Sequence, residues 1–156
     1  MNNALVVVDM AYDFIDGSLA CKEAEKAVAE TLKFIDSQTH GQGGEEHEIL
    51  DTFPILFVCD RNRIHDDLKP YVVEELTFVK GINNADQTVG EILELLDTTD
   101  VHVCAIAEES CVRQTCDDLL KAGFKVHLHS DCLAYLDQDS LEKSLEEMKA
   151  EGIIIE

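Results

Sequence analysis

The chain has 156 residues, is 46% hydrophobic and contains two prolines, which suffices for one sizeable core and is too short for two ordinary domains. Thirty-three acidic residues oppose twelve basic ones, for a formal net charge of −21; such a surface repels phosphates and anionic headgroups, so neither nucleic acid nor a membrane is an expected partner. No apolar run approaches the ~18 residues of a membrane span, the opening MNNALVVVDM lacks a basic region and a cleavage site, and the six cysteines show no C-x-x-C spacing, so a soluble, cytoplasmic single domain over residues 1–156 with reduced thiols is expected.

Ala4 to Val8 is a continuous apolar run, the pattern of a strand buried on both faces, and it stops at Asp9. After the turn AYDFIDGSL, the segment from Cys21 to Asp36 places Ala24, Ala27, Val28, Thr31, Leu32 and Ile35 at helical spacing. The polar, glycine-containing THGQGGEEHE reads as a surface loop. Ile55 to Cys59 is a second strand closing on Asp60, and Leu76 to Val79 a third closing on Lys80. Thr88 to Leu96 is a predicted helix with Val89, Ile92, Leu93 and Leu96 on its apolar face. Val101 to Ile106 is the fourth strand, followed by Ala107, Glu108, Glu109 and Ser110 and the helix-patterned CVRQTCDDLLKAG. Lys125 to His129 is the fifth strand, Ser140 to Ala150 an acidic helix, and Gly152 to Ile155 the last strand.

Strands alternating with helices predict an α/β fold of the Rossmann type: three layers, α/β/α, around a doubly wound, mainly parallel sheet of about six strands. In such sheets the ligand site lies beyond the carboxyl ends of the strands, where the strand order reverses. That rule selects Asp9, Asp60, Lys80 and the Ala107 to Cys111 turn, all at or just after strand ends. Cys111 opens a helix, where unsatisfied N–H groups and the positive end of the peptide dipole favour the thiolate. Taken singly, an Asp after a strand also serves as a turn former, a Lys as a solvated charge and a Cys as a small core residue. Together they supply a base, a cation and a thiol.

The N-terminal ALVVVDMAYDFIDGSLA resembles the opening motif of the isochorismatase-like cysteine hydrolases, whose usual form has Gln-Asn where Ala11 and Tyr12 stand. AIAEESCVRQTCDDLLKAGFKVHLHSDCLA resembles their nucleophile motif, commonly Gly-Ile-Ala-Thr-x-x-Cys-Val-Arg, and FVKG around Lys80 fits their third catalytic position. DGSLAC near the start is closest to the nicotinamidase-related branch. The resemblance implies a triad of Asp9, Lys80 and Cys111, a non-proline cis peptide between Ile106 and Ala107, and an oxyanion hole from the N–H groups of Ala107 and Cys111. It also implies that Phe14 and Ser110 line the substrate pocket, that the partner is a small-molecule amide, and that the chain forms a homo-oligomer.

Several positions depart from the family pattern. Nicotinamidases carry Asp-x-His after the second strand and a further His downstream, holding a divalent metal; here the sequence reads Asp60-Arg61-Asn62, leaving Asp60 and His65 as weak metal candidates. No metal and no cofactor is therefore expected. Ala105 replaces the usual Gly, Glu108 the usual Thr, and the segment from Asn62 to Lys80 is short. Two function classes follow: a cysteine hydrolase cleaving a carbon–nitrogen bond of a small amide through a thioester, or a catalytically decayed or regulatory small-molecule-binding member of the same fold.

Overall fold

The computed structural model describes residues 2–15, 23–39, 53–59, 63–78, 85–106, 109–135 and 137–156, without the side chains of 13, 14, 39, 85–88 and 109–111. Its elements are β1 (Asn3–Val8), α1 (Tyr12–Ile15), α2 (Ala24–Thr39), β2 (Ile55–Val58), β3 (Thr77–Phe78), α3 (Ala85–Leu95), β4 (Asp100–Ile106), α4 (Glu109–Lys121), β5 (Lys125–Ala134), α5 (Gln138–Glu151) and β6 (Ile154–Ile155). Between β2 and β3 the described residues include the short 3-10 helices Asp66–Tyr71 and Glu74–Leu76.

The six strands form one sheet in the order β3-β2-β1-β4-β5-β6, and all five strand pairs are parallel. Ala4 through Val8 are all fully buried, because β1 is hydrogen-bonded on both edges and covered on both faces. Ala4, Val6 and Val8 face a cluster completed by Val89 and Leu93 of α3, Val112, Cys116 and Leu119 of α4, and Met148 of α5. Leu5 and Val7 face the other side, with Ala27, Val28 and Ile35 of α2 and with Phe53, Ile64 and Leu68. This is the expected three-layer arrangement, and each buried Leu, Val or Ile in it stabilises by roughly 1.5–3 kcal/mol.

Element bounds differ from the sequence expectation where a local signal competes with tertiary pairing. The helix expected from Cys21 to Asp36 is observed as Ala24–Thr39. The third strand, described over Thr77–Phe78, starts later than expected because Leu76 closes the preceding 3-10 helix, and Val79 lies outside the described residues. The last strand starts later because Gly152, at φ 110, is the left-handed cap of α5, a conformation that costs glycine least. The fifth strand is longer than expected. Between Leu128 and Leu133, β5 spends five residues where β4 takes two, Val103 to Ala105, and this irregularity lets the polar HSDC stretch pass before pairing resumes at Leu133 and Ala134.

That stretch belongs to a cluster of imidazoles on β4 and β5. His102 Nδ1 meets His129 Nε2 at 2.8 Å, and His102 Nε2 meets Asn3 Oδ1 at 3.3 Å. Asn3 Oδ1 can only accept, so His102 carries its proton on Nε2 and receives one from His129. Burial, then the neighbouring His129 and His127, lowers the His102 pKa from 6.5 to about 4. Burial also pushes His129 down. His127 stacks on His102 with 4.7 Å between ring centres, and its two nitrogens face Asp100 Oδ1 at 2.9 Å and Glu156 Oε1 at 2.7 Å. Hydrogen bonding from His127 holds both carboxyls below their ordinary values.

Both kinds of shift act against folding in acid. Between pH 6.5 and about 4 the unfolded chain binds a proton at His102 that the folded chain refuses; the depressed Asp100 and Glu156 contribute stability that is lost only as pH falls through their lowered values. Chemical denaturation at pH 7, 6, 5 and 4.5 is expected to show stability declining across this window, and His102→Gln is expected to flatten the decline; an unchanged slope in that variant would refute the assignment.

Candidate active site

The carboxyl ends of the central strands finish level with one another. Val8 pairs with Val58 on one side and with Ala105 on the other, and Val58 pairs with Phe78. Strand order runs outward from β1 through β2 to β3, then resumes on the opposite side at β4, so the reversal falls between β1 and β4. The first residue beyond β1 is Asp9, 7% exposed and left-handed at φ 54.

Only a few per cent of non-glycine residues take positive φ, at a cost of order 1–3 kcal/mol, and Asp is among those that tolerate it best. Two hydrogen bonds hold Asp9 there: its N–H donates to Val58 O at 3.1 Å, and its C=O accepts from the Ala11 N–H at 2.7 Å. The chain therefore turns sharply at the end of β1 and leaves an acidic residue buried at the switch point.

Residues 10–12 then run against residues 64–66. Ala11 and Ile64 form an isolated antiparallel bridge, and Met10 O accepts from the His65 N–H at 3.0 Å. The Tyr12 hydroxyl accepts from the Asp66 N–H at 3.1 Å, and the Tyr12 and His65 rings lie 5.8 Å apart. Lys69 pairs with Asp66 at 2.5 Å and stands 5.8 Å from the centre of the Tyr12 ring. Hydrogen bonding to Asp66 raises the Tyr12 phenol, while Lys69 and Tyr12 together lower the Asp66 carboxyl. Ile64 and Leu68, both fully buried, anchor the segment in the core.

Cys111 is the third residue of α4. Two residues, 107 and 108, separate the end of β4 from the start of that helix, so its first turn, whose N–H groups have no partner within the helix, follows closely on the strand that neighbours β1. The structure thus brings Asp9 and the helix start carrying Cys111 to the same strand pair. Phe14 is placed in α1, its side chain outside the described residues, as are those of Ser110 and Cys111. Lys80, Ala107, Asp60 and the Ile106–Ala107 peptide also lie outside the described residues.

Sequence reasoning did not assign two residues that the structure puts to use. Tyr12 caps the 3-10 helix at Asp66, and its only sequence signal was its departure from the family's Asn. Arg113, within the Cys-Val-Arg motif, forks across to α5, pairing with Glu147 and, at 2.6 Å, with Glu151. It ties the cysteine helix to α5, and because both partners are partly exposed the pair contributes modestly.

His65 does not fit a metal ligand as it stands. Its Nδ1 accepts from the Asp67 N–H at 3.2 Å, and its Nε2 lies 3.6 Å from Glu25, so both nitrogens have protein partners. Among the described residues no group of three His, Cys, Asp or Glu is gathered for a metal. Elemental analysis of gently purified protein is expected to give far less than one transition metal per chain; stoichiometric zinc or iron would return His65 to the ligand set.

Cys59, Cys104, Cys116 and Cys132 are buried, and burial pushes the Cys104 thiol well up. Limited iodoacetamide treatment near neutral pH followed by peptide mapping is expected to label Cys111 ahead of these four. Preferential labelling of Cys104 or Cys116 would contradict the placement of the nucleophile.

The profile of the isochorismatase domain matches residues 60–156, more than half of the chain. No curated protein sequence matches it. Among solved structures it is similar to the pyrazinamidase of Pyrococcus horikoshii, solved in complex with zinc, at 26% identity and TM-score 0.71, over 100% of this chain and 99% of that one. It is also similar in fold to the Staphylococcus aureus nicotinamidase (16% identity, TM-score 0.75, all of both chains). The N-carbamoylsarcosine amidase of Thermoplasma acidophilum shares the fold as well (22% identity, TM-score 0.66, 100% of this chain and 96% of that one).

Proposed function

The chain belongs to the isochorismatase family, and we propose that it is a cysteine hydrolase that cleaves the carbon–nitrogen bond of a small amide through a thioester on Cys111. The observation that carries this is Asp9, buried and left-handed at the end of β1, at the switch point where β1 pairs with β4, the strand that precedes the cysteine helix. A buried acidic residue, held in a strained conformation at the place where this fold class binds ligands, suits the role of a catalytic base.

In the proposed cycle the Asp9 carboxylate takes the Cys111 thiol proton as the sulfur attacks the amide carbonyl carbon. The oxyanion is held by the N–H groups of Ala107 and Cys111, donors of a kind worth about 10²–10³ in rate each. Collapse of this intermediate breaks the carbon–nitrogen bond, and Asp9 returns its proton to the departing amine. Asp9 then deprotonates a water molecule, which attacks the thioester; the carbon–sulfur bond breaks, the acid leaves, and Asp9 reprotonates the sulfur. Lys80, two residues beyond Phe78, supplies a cation that favours both the thiolate and the Asp9 carboxylate. No step passes through a metal.

Intact-protein mass spectrometry with a panel of small carboxamides, nicotinamide and pyrazinamide included, and with an amide-derived aldehyde tests this reading. A thioester or thiohemiacetal on Cys111 is expected. Asp9→Asn is expected to keep the fold and lower turnover of any substrate found by about 10²–10⁴-fold, the scale of general acid–base catalysis. A chain that traps no adduct across the panel is a catalytically decayed member of the family.

A further inference from the structure

We propose that Tyr12 is a positioning residue for the candidate site, holding Asp9 in its left-handed turn by clamping residues 10–12 to the segment that carries the Asp66–Tyr71 helix. The proposal rests on the reading of Asp9 and Cys111 as a reacting pair and adds a residue with no place in that reading.

A left-handed Asp does not hold itself in place; the surrounding contacts must make the conformation the cheapest one available. Two hydrogen bonds act directly on Asp9, from its N–H to Val58 O and from the Ala11 N–H to its own C=O. The second is useful only while Ala11 stays where it is. Three contacts fix that stretch: Met10 O to the His65 N–H at 3.0 Å, the antiparallel Ala11–Ile64 bridge, and Tyr12 Oη to the Asp66 N–H at 3.1 Å. The first two are backbone pairings open to most residues. The third needs a side-chain oxygen far from its own backbone, which a Tyr supplies and the shorter Asn usual at this position reaches less far to give.

The Tyr12 contact runs both ways. The phenol oxygen accepts from the Asp66 N–H, the Asp66 side chain beside it raises the phenol pKa by hydrogen bonding, and Lys69 closes on the same carboxylate at 2.5 Å. Asp66 and Asp67 are the first residues of a 3-10 helix, so their N–H groups have no partner within it. Tyr12 satisfies the first and the His65 ring satisfies the second, at 3.2 Å. Ile64 and Leu68, fully buried, hold the segment to the core. Tyr12 therefore ties the Asp9 turn to an anchored body.

The pH dependence of Cys111 alkylation by iodoacetamide separates this from a purely structural role. An Asp9 carboxylate beside the sulfur disfavours the thiolate, so Asp9→Asn is expected to lower the midpoint by about one unit. Tyr12→Phe keeps the ring but loses the oxygen. It is expected to move the midpoint in the same direction by about half a unit, when measured well below its own unfolding temperature. Lys69→Met, which removes the outer ion pair and leaves the Tyr12 oxygen in place, is expected to keep the wild-type midpoint. If Asp9→Asn shifts the midpoint and Tyr12→Phe does not, the positioning role is wrong while the reacting pair stands. If Asp9→Asn leaves the midpoint unmoved, the reacting pair falls and the role of Tyr12 falls with it.

Discussion

The double pairing of β1 is the constraint on which the rest of this molecule depends. With β2 on one edge, β4 on the other and helices over both faces, Ala4 through Val8 have no contact with water, and the five side chains stabilise by several kcal/mol in sum. A strand held so firmly ends in a fixed place. The backbone strain at Asp9 is tolerable because a rigid strand on one side and the Ala11–Ile64 bridge on the other leave the intervening residues little alternative. The same pairing fixes β4, the strand that precedes α4, in register with β1 from Asn3 to Val8.

Around this centre the supporting contacts come from distant parts of the chain. The segment from 63 to 72 braces the turn after Asp9 from one side. On the other, Arg113 binds the cysteine helix to α5 through Glu147 and Glu151. Neither brace is strong alone: partly exposed ion pairs and surface hydrogen bonds each contribute about 1 kcal/mol or less. Their effect is orientation, because each fixes one element relative to a core that is already rigid.

The surface works against this core. With 33 acidic and 12 basic residues, at least 21 carboxylates have no basic side chain of their own, and their mutual repulsion favours expansion. Among the described residues the lysine pairs are local, as Lys69 with Asp66 beside Tyr12, whereas Arg113 joins the cysteine helix to two carboxylates of α5. At the amino-terminal half of β4, His127 plays a comparable part between Asp100 and Glu156, tying β6 to the sheet.

The order of elements, the parallel sheet and the carboxyl-end placement of Asp9 and the cysteine helix were legible in the sequence, because each rests on local patterns. An apolar β-branched run bounded by turn residues identifies a buried strand, helical spacing identifies a covering helix, and alternation of the two leaves one topology class. The family motifs pointed to the same residues. The sequence could not supply partners chosen by approach in space. Tyr12 and Asp66 are 54 residues apart, His102 and His129 are 27, and no periodicity links either pair. The irregularity that lengthens β5 and the 3-10 helix that shortens β3 were equally hidden. A polar stretch such as HSDC reads as a strand end until its neighbours are known, and only the folded chain, by burying imidazoles against Phe34 and Asn3, makes it part of the sheet.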